Sequence, residues 1–381
     1  MKIGFDCSAA LLDQRTGVGN YSFLLIRALS KIDKENEYLL YPFFYHIFGD
    51  FRNKCSGLPE ASNYRIAFRN IPVPTILLRY IWLAGIPPYL KEYFLGDVDV
   101  VHSNTFSAPH FKNKRKRLVV TIYDLTVLTH PECHRKANIV HCLKGTKDAI
   151  KYADAIIAIS EHTKRDLIEY LGAPPELVTV THLAAGDDYY EVTDGEVLRS
   201  GRERYRLPEN YILFVGSLEP RKNIKTLLKA YAGMEEGFKK DFPLVIAGGK
   251  GWMNSDIPEM VKGLDVEDRV VFAGFIDGAD IAAVYSQAVV FAYPSLYEGF
   301  GLPILEAMSC GAPVITSNTS SMPEVAGDAA VLVDPTDAGA LASALEGVLG
   351  DPAKRGEMRK KGLEQASRFS WDRCAKETLD V

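Results

Sequence analysis

The sequence has little that would place it in a membrane, in a disulfide-stapled fold or on nucleic acid. Its six cysteines (Cys7, Cys55, Cys133, Cys142, Cys310 and Cys374) lie far apart and form no CxxC pair. That scatter suits reduced thiols better than a disulfide framework. The most apolar stretch, residues 71–95, is broken by Arg79, Pro87, Pro88, Lys91 and Glu92, so it falls short of the ~18 uninterrupted apolar residues of a membrane helix. The start, MKIGFDCSAA, lacks the apolar core of a signal peptide, and a cytoplasmic protein is expected. A formal net charge of −5 gives no global basic field for nucleic acid. There is no low-complexity tract and no short-period repeat.

What is present is an ordinary globular composition, 47% hydrophobic and 24% charged, in a chain of 381 residues, too long for one core and about right for two. Short β-branched runs (MKIGFD, VDVVHS, LVVTIYD and AIIAIS, then YILFVG, PLVIAGG, VVFAG, VVFAYP and APVITS) alternate with helix-length segments. The runs are continuous rather than alternating, as strands are when helices cover both sheet faces. This βαβ rhythm predicts an α/β protein of two Rossmann-like, doubly wound parallel-sheet domains. The rhythm lapses near residues 186–208, which reads as a linker. The expected layout is residues 1–190, residues 205–355 and a helical tail over 356–381. That tail is expected to cap the second domain or to return to the first. A ligand cleft between the domains follows, beyond the C-terminal strand ends.

The segment VVFAYPSLYEGFGLPILEAMSCGAPVITS carries the most information. A strand ends near Tyr293, a loop holds Glu298, Gly299, Phe300 and Gly301, and a helix opens at Leu302-Pro303. Glycines before a helix terminus let backbone amides approach an anion. Glu298 and Glu306 then flank one ligand and accept hydrogen bonds from its hydroxyls. The plainer alternative makes Glu298 a solvated loop acid and Glu306 a carboxylate favoured by the helix dipole. A second strand–loop–helix, YILFVGSLEPRKNIKTLLKAY, puts Arg221 and Lys222 in its loop. Adjacent cations there suit a diphosphate, Arg by its fork and Lys as a point charge, although exposed Arg-Lys pairs are commonly just solvated.

The strings GSLEPRKN, IAGGKGW, FAYPSLYEGFGLPILEAMSCGAPV and SSMPEVAGDAA resemble the retaining GT-B glycosyltransferases of family four, mannosyltransferases among them, and span most of residues 211–330. Glu298 to Glu306 fits the Glu-x7-Glu motif of that family. The resemblance implies that Arg221 and Lys222 hold the donor diphosphate, Glu306 the ribose hydroxyls and Glu298 the hydroxyls of the donor sugar. Backbone around Phe300, Gly301 and Leu302 would face sugar and phosphate, and Phe275 and Ile276 would lie near the base.

In the first half, RTGVGNYSFLL opens a helix at Gly17, Val18 and Gly19, and in the resembled family such a glycine segment covers the diphosphate. A dehydrogenase would need GxGxxG directly after the first strand, but Ser22 takes the third glycine position. After LVVTIYD, Asp124 is the acceptor-side catalytic candidate, with a local capping role as the alternative. Tyr123 stands where relatives commonly carry His. His102, at a strand end, either lines the cleft or is a satisfied core histidine. Asp97-Val98-Asp99 spells DxD but reads as a strand entry. The cluster His130, Cys133, His134, His141 and Cys142 has no standard zinc spacing. Aromatic and basic residues between Tyr64 and Phe94, with NKRKR at 113–117, fit either solvated loops or contact with anionic lipid at the inner membrane face.

The expected activity is therefore metal-independent, retaining transfer of a hexosyl group, mannosyl preferred, from a nucleoside-diphosphate sugar to a glycan or lipid-linked acceptor. No cofactor is expected; GDP-mannose is the preferred donor, because TGVGNY and YDLTVLTHPE resemble mannosyltransferase relatives, with UDP-glucose or another hexose donor close behind, and nucleic acid is no partner. A nucleotide-sugar-binding subunit without turnover and another Rossmann-type nucleotide enzyme are the alternatives.

Overall fold

The computed structural model describes residues 1–11, 17–41, 57–66, 95–105, 111, 115–249 and 256–381. Most of the expected aromatic and basic patch (67–94), residues 113–114 of the basic run and residues 250–252 of IAGGKGW lie outside them. The chain divides into two compact units, Met1–Leu183 with Trp371–Val381, and Ala184–Ser370.

In the first unit the strands are β1 (Lys2–Asp6), β2 (Glu37–Tyr41), β3 (Tyr64–Ile66), β4 (Val100–Ser103), β5 (Arg117–Ile122), β6 (Ala155–Ala158) and β7 (Val178–Val180). They form one parallel sheet in the order β3-β2-β1-β4-β5-β6-β7. The second unit holds β8 (Ile212–Val215), β9 (Leu244–Ala247), β10 (Val270–Gly274), β11 (Val290–Tyr293), β12 (Val314–Ser317) and β13 (Ala330–Val333), in the order β10-β9-β8-β11-β12-β13. Every residue of β9, β11 and β12 is buried, which explains their unbroken apolar runs. Both orders reverse beside the first strand of the unit, at β1/β4 and at β8/β11. Such a switch point leaves a crevice beyond the strand ends where ligands bind.

Helices cover both sheets. The first unit has α1 (Gly17–Ile32), α2 (Lys136–Tyr152) and α3 (Glu161–Leu171). Ser160 starts α3 by accepting the Thr163 amide, and Gly172 ends it at φ +65°, the left-handed conformation that glycine adopts without strain. The second unit has α4 (Gly195–Arg204), α5 (Ile224–Gly233), α6 (Gly278–Ser286), α7 (Leu302–Ser309), α8 (Met322–Ala326), α9 (Ala338–Leu349) and α10 (Pro352–Ser367). The last helix, α11 (Trp371–Asp380), packs on α1 of the first unit. Trp371 meets Tyr21 there at 6.1 Å between ring centroids.

The polar stretch read as a linker differs from that expectation, because it contains α4 and belongs to the second unit. Asp194 caps α4 through the amides of Glu196 and Val197. Arg204 then pairs with Asp277 and Asp280 at 2.6 and 2.7 Å, and Gly201 faces Ala283 of α6. Those partners are more than 70 positions away, so no local periodicity announces the helix.

Candidate functional site

Two loops meet at the β8/β11 switch point. After β8, the turn Pro220–Lys222 carries Arg221 and Lys222, and Asn223 follows at φ +59°. Asn223 donates to the carbonyls of Pro294 (2.9 Å) and Pro335 (2.6 Å), tying this turn to the loops after β11 and β13. After β11, the hydroxyl of Ser321 lies 2.8 and 2.7 Å from the carbonyls of Glu298 and Phe300, and Ser320 accepts the Glu298 amide at 3.0 Å. Gly301, at φ +104°, starts α7. A Cβ at Gly301 would sit 3.1 Å from Ile304 Cδ1.

These latches bring Arg221, Lys222 and Glu298 into one buried cluster. Glu298 Oε2 takes Arg221 Nη1 at 2.6 Å, and Oε1 takes Lys222 Nζ at 2.8 Å. Tyr293 and Ser295 hydroxyls donate to the same Oε1 at 2.9 and 2.7 Å. Lys222 also contacts the Tyr293 hydroxyl, and Arg221 donates to the Tyr297 carbonyl at 2.7 Å. The solvated-loop alternative for Glu298 is therefore not what the structure shows. Burial opposes ionisation of Glu298, but the Arg221 and Lys222 charges outweigh it and hold its carboxyl well below the usual range. Burial and the neighbouring Arg221 lower the pKa of Lys222, against the pull of Glu298. Glu219 is a second carboxylate here, 3.7 Å from Arg221, so what the cluster offers an added anion is fixed Arg and Lys donors rather than a net charge.

Glu306, near the middle of α7, has a different environment. Tyr285 of α6 donates to its Oε2 at 3.3 Å, and Tyr189 is a second phenol electrostatically coupled to it. Burial pushes the Glu306 carboxyl up to about 7, with Tyr285, Tyr189 and the Lys222 charge holding it from going higher. Phe300 is buried, Phe275 is exposed and Ile276 is buried beside it after the edge strand β10. The amide of Asp277 in that loop donates to the Tyr205 hydroxyl at 3.0 Å.

In the first unit, Gly17, Val18 and Gly19 form the first turn of α1, where backbone amides have no intrahelical acceptor. Asp124 follows β5, and its Oδ1 accepts the amide (2.9 Å) and the hydroxyl of Thr126, the local turn weighed as its alternative. His102 is a satisfied core histidine. Its Nε2 lies 2.8 Å from Thr121 Oγ1, its ring meets Phe5 edge-on, and burial pulls it down to about 4. Tyr123 donates to the Asn104 carbonyl at 2.7 Å and packs edge-on against Tyr21. Asp99 accepts the Lys2 amide at 2.8 Å at the entry to β4. Among the described residues no three His, Cys, Asp or Glu gather as a metal site. Lys116 of the basic run donates to the Gly96 and Val98 carbonyls, and Arg117 pairs with Asp154 at 2.6 Å.

Sequence reasoning missed Tyr189, Tyr285, Tyr293, Ser295 and Ser321. Each sits in a strand, helix or turn whose apolar or polar pattern needs no site to explain it.

Two family profiles match the chain: "Glycosyl transferases group 1" over residues 201–365 and "Glycosyltransferase Family 4" over residues 16–184. The chain is similar to O-antigen chain mannosyltransferase B of Escherichia coli, 32% identical over 371 residues, 96% of this chain and 95% of that protein. It is also similar to serotype-specific mannosyltransferase WbdA of Escherichia coli, 34% identical over 309 residues, 79% of this chain but 37% of that longer protein. Among solved structures, sucrose-phosphate synthase from Thermosynechococcus elongatus matches at TM-score 0.77 and 22% identity, over 100% of this chain and 97% of that one. Anabaena HepE, solved with UDP and glucose, matches at TM-score 0.73 and 20% identity, over 100% and 98%. These structural likenesses show the fold, two Rossmann-like units of the GT-B type.

Proposed function

The chain belongs to the group 1 glycosyl transferases of glycosyltransferase family 4, and from that premise we propose that it transfers a hexosyl group, mannosyl preferred, from a nucleoside-diphosphate sugar to a glycan or lipid-linked saccharide. The observation that carries this reading is the Arg221–Lys222–Glu298 cluster at the β8/β11 switch point, with Glu306 electrostatically coupled to it. The mannosyltransferase names of the relatives support the sugar, and GDP-mannose is the donor assigned.

Departure of a nucleoside diphosphate builds negative charge on its oxygens and leaves an oxocarbenium-like sugar. Arg221 and Lys222, already fixed in place, stabilise that charge without reorganising at the moment of reaction. The backbone of Phe300, Gly301 and Leu302 faces sugar and phosphate at the start of α7. Oε1 of Glu298 has three donors, so a donor-sugar hydroxyl is assigned to Oε2, where acceptor capacity remains. Glu306 receives the ribose hydroxyls, and Phe275 with Ile276 flanks the base. In the first unit, Asp124 is assigned to the acceptor and the first-turn amides of Gly17, Val18 and Gly19 to an anion. Retention without a required metal rests on the family resemblance, and, with no side chain in this assignment acting as a covalent nucleophile, front-face displacement is favoured over double displacement. Contact with anionic lipid at the inner membrane face belongs to the same reading.

The test is transfer from GDP-mannose to saccharide acceptors, alongside a thermal-shift panel of GDP, UDP and dTDP species. Selective stabilisation by GDP species is expected by linkage to the folded state. Turnover should persist in EDTA, with the product anomer matching the donor. If no common donor turns over above a Glu298→Ala control, the catalytic reading fails and a sugar-nucleotide-binding role replaces it.

A further inference from the structure

Glu306 is the carboxylate assigned to the ribose, yet nothing in that assignment accounts for the two phenols that hold it. Tyr285 comes from the last turn of α6 and is fully buried. Tyr189 comes from the segment through which the chain enters the second unit at Ala184. The two rings meet edge-on at 6.1 Å; the Tyr285 hydroxyl donates to Glu306 at 3.3 Å, and the Tyr189 phenol is electrostatically coupled to the same carboxylate. Burial, reinforced by the Glu306 charge, raises both phenols above their ordinary values, so they remain O–H donors. The Val192 amide donates to Ser286 Oγ at 3.0 Å and Glu191 pairs with Arg359, so the entry segment is anchored just after Tyr189.

A carboxylate has roughly four lone-pair sites. With Tyr285 donating to Oε2 and Tyr189 packed beside it, acceptor capacity remains on Glu306 for the two hydroxyls of a vicinal diol. We propose that Tyr189 and Tyr285 are positioning residues that hold Glu306 as an ionised double acceptor for the ribose 2′- and 3′-hydroxyls of a nucleoside diphosphate. This rests on the reading of the β8/β11 crevice as a sugar-nucleotide site.

The groups facing Glu306 are Tyr189, Tyr285 of α6, Lys222 of the turn after β8, Tyr293 of β11 and Cys310 at the end of α7. A protonated Glu306 loses acceptor capacity, so ribose binding strengthens as pH rises through the Glu306 titration near 7. Losing one phenol hydrogen bond moves that titration up by about half to one unit.

The experiment measures GDP and UDP affinity of the full chain by calorimetry from pH 5.5 to 9, each against its 2′,3′-dideoxy counterpart. The ratio cancels the titration of the phosphate itself. For the wild type the ratio should grow through pH 7 and then level off. In Tyr189→Phe, and separately in Tyr285→Phe, the half-point should move up, weakening the ribonucleotide about three-fold at pH 7 and little at pH 9. Dideoxynucleotide binding should not change. A ratio equally reduced at every pH, or an equal loss for the dideoxy compounds, would show a merely structural role and overturn the proposal. No binding of either nucleotide by wild type would instead overturn the reading of the site, and the proposal with it.

Discussion

Glu298 is a buried acid whose neighbours decide its chemistry. Arg221 and Lys222 each approach within 2.8 Å, and removing the carboxylate strands both cations away from water. Breaking a buried pair in this way costs about 3–5 kcal/mol, so Glu298→Ala should lower stability toward urea at pH 7 by about 3 kcal/mol as well as abolishing transfer. The sign of its pH dependence follows from the lowered folded-state pKa. The stabilisation is present above the unfolded value of about 4.3 and is lost as pH falls through the folded value. The deficit of the variant should therefore be constant from pH 6 to 9 and shrink in acid. A deficit that instead grew in acid would contradict the ion-pair assignment. Nothing in LYEGFGLP distinguishes this acid from a solvated one, because Arg221 and Lys222 stand 76 or more positions away in the chain.

At the scale of elements, the site depends on how closely β8 and β9 end. Gly248 follows β9 at φ +140°, and a Cβ there would lie 2.0 Å from the carbonyl oxygen of Gly216. Gly216 leads into the turn that carries Arg221 and Lys222. Gly248→Ala must push apart two backbones, with a positive φ adding strain, for a loss of about 2–4 kcal/mol. Nucleotide affinity should fall with it. Gly237→Ala is the control, since a Cβ there meets nothing within 4 Å, and its melting temperature should stay level or rise. Equal melting of the two variants would remove the close-approach argument. The strands themselves were legible, since runs such as YILFVG and VVFAYP are too apolar for a half-exposed sheet. The helix α4 was not legible, because Asp277 and Asp280 supply the partners of Arg204 from elsewhere in the unit.

For the whole molecule, no helix among the described residues is long and apolar enough to cross a membrane, and the proposed lipid contact is one of basic groups with anionic headgroups. Lys116 of the basic run is engaged by backbone carbonyls, while Arg117 stays largely exposed beside Asp154. Flotation with vesicles containing anionic lipid should recover the protein at low salt and release it at high salt. Absence from the vesicle fraction at low salt would end that part of the reading.

The final helix shows how sequence and tertiary structure divide the work. Phe369 packs edge-on against Phe300 at 5.9 Å in the second unit, while Trp371, two residues later, packs against Tyr21 in the first. Two large apolar side chains near a terminus announce that the tail is anchored, but they do not say to what. The same limit holds at the site. By itself the sequence determined the parallel-sheet class, the strand-end loops and the residue types able to meet a diphosphate, because burial on both sheet faces and glycine before a helix write local patterns. Only the tertiary structure decided that Glu298 is the counter-ion of Arg221 and Lys222, and that Tyr285, with Tyr189 packed beside it, meets Glu306. Those relations join residues from separate loops and helices, and their energies depend on burial that no local pattern records.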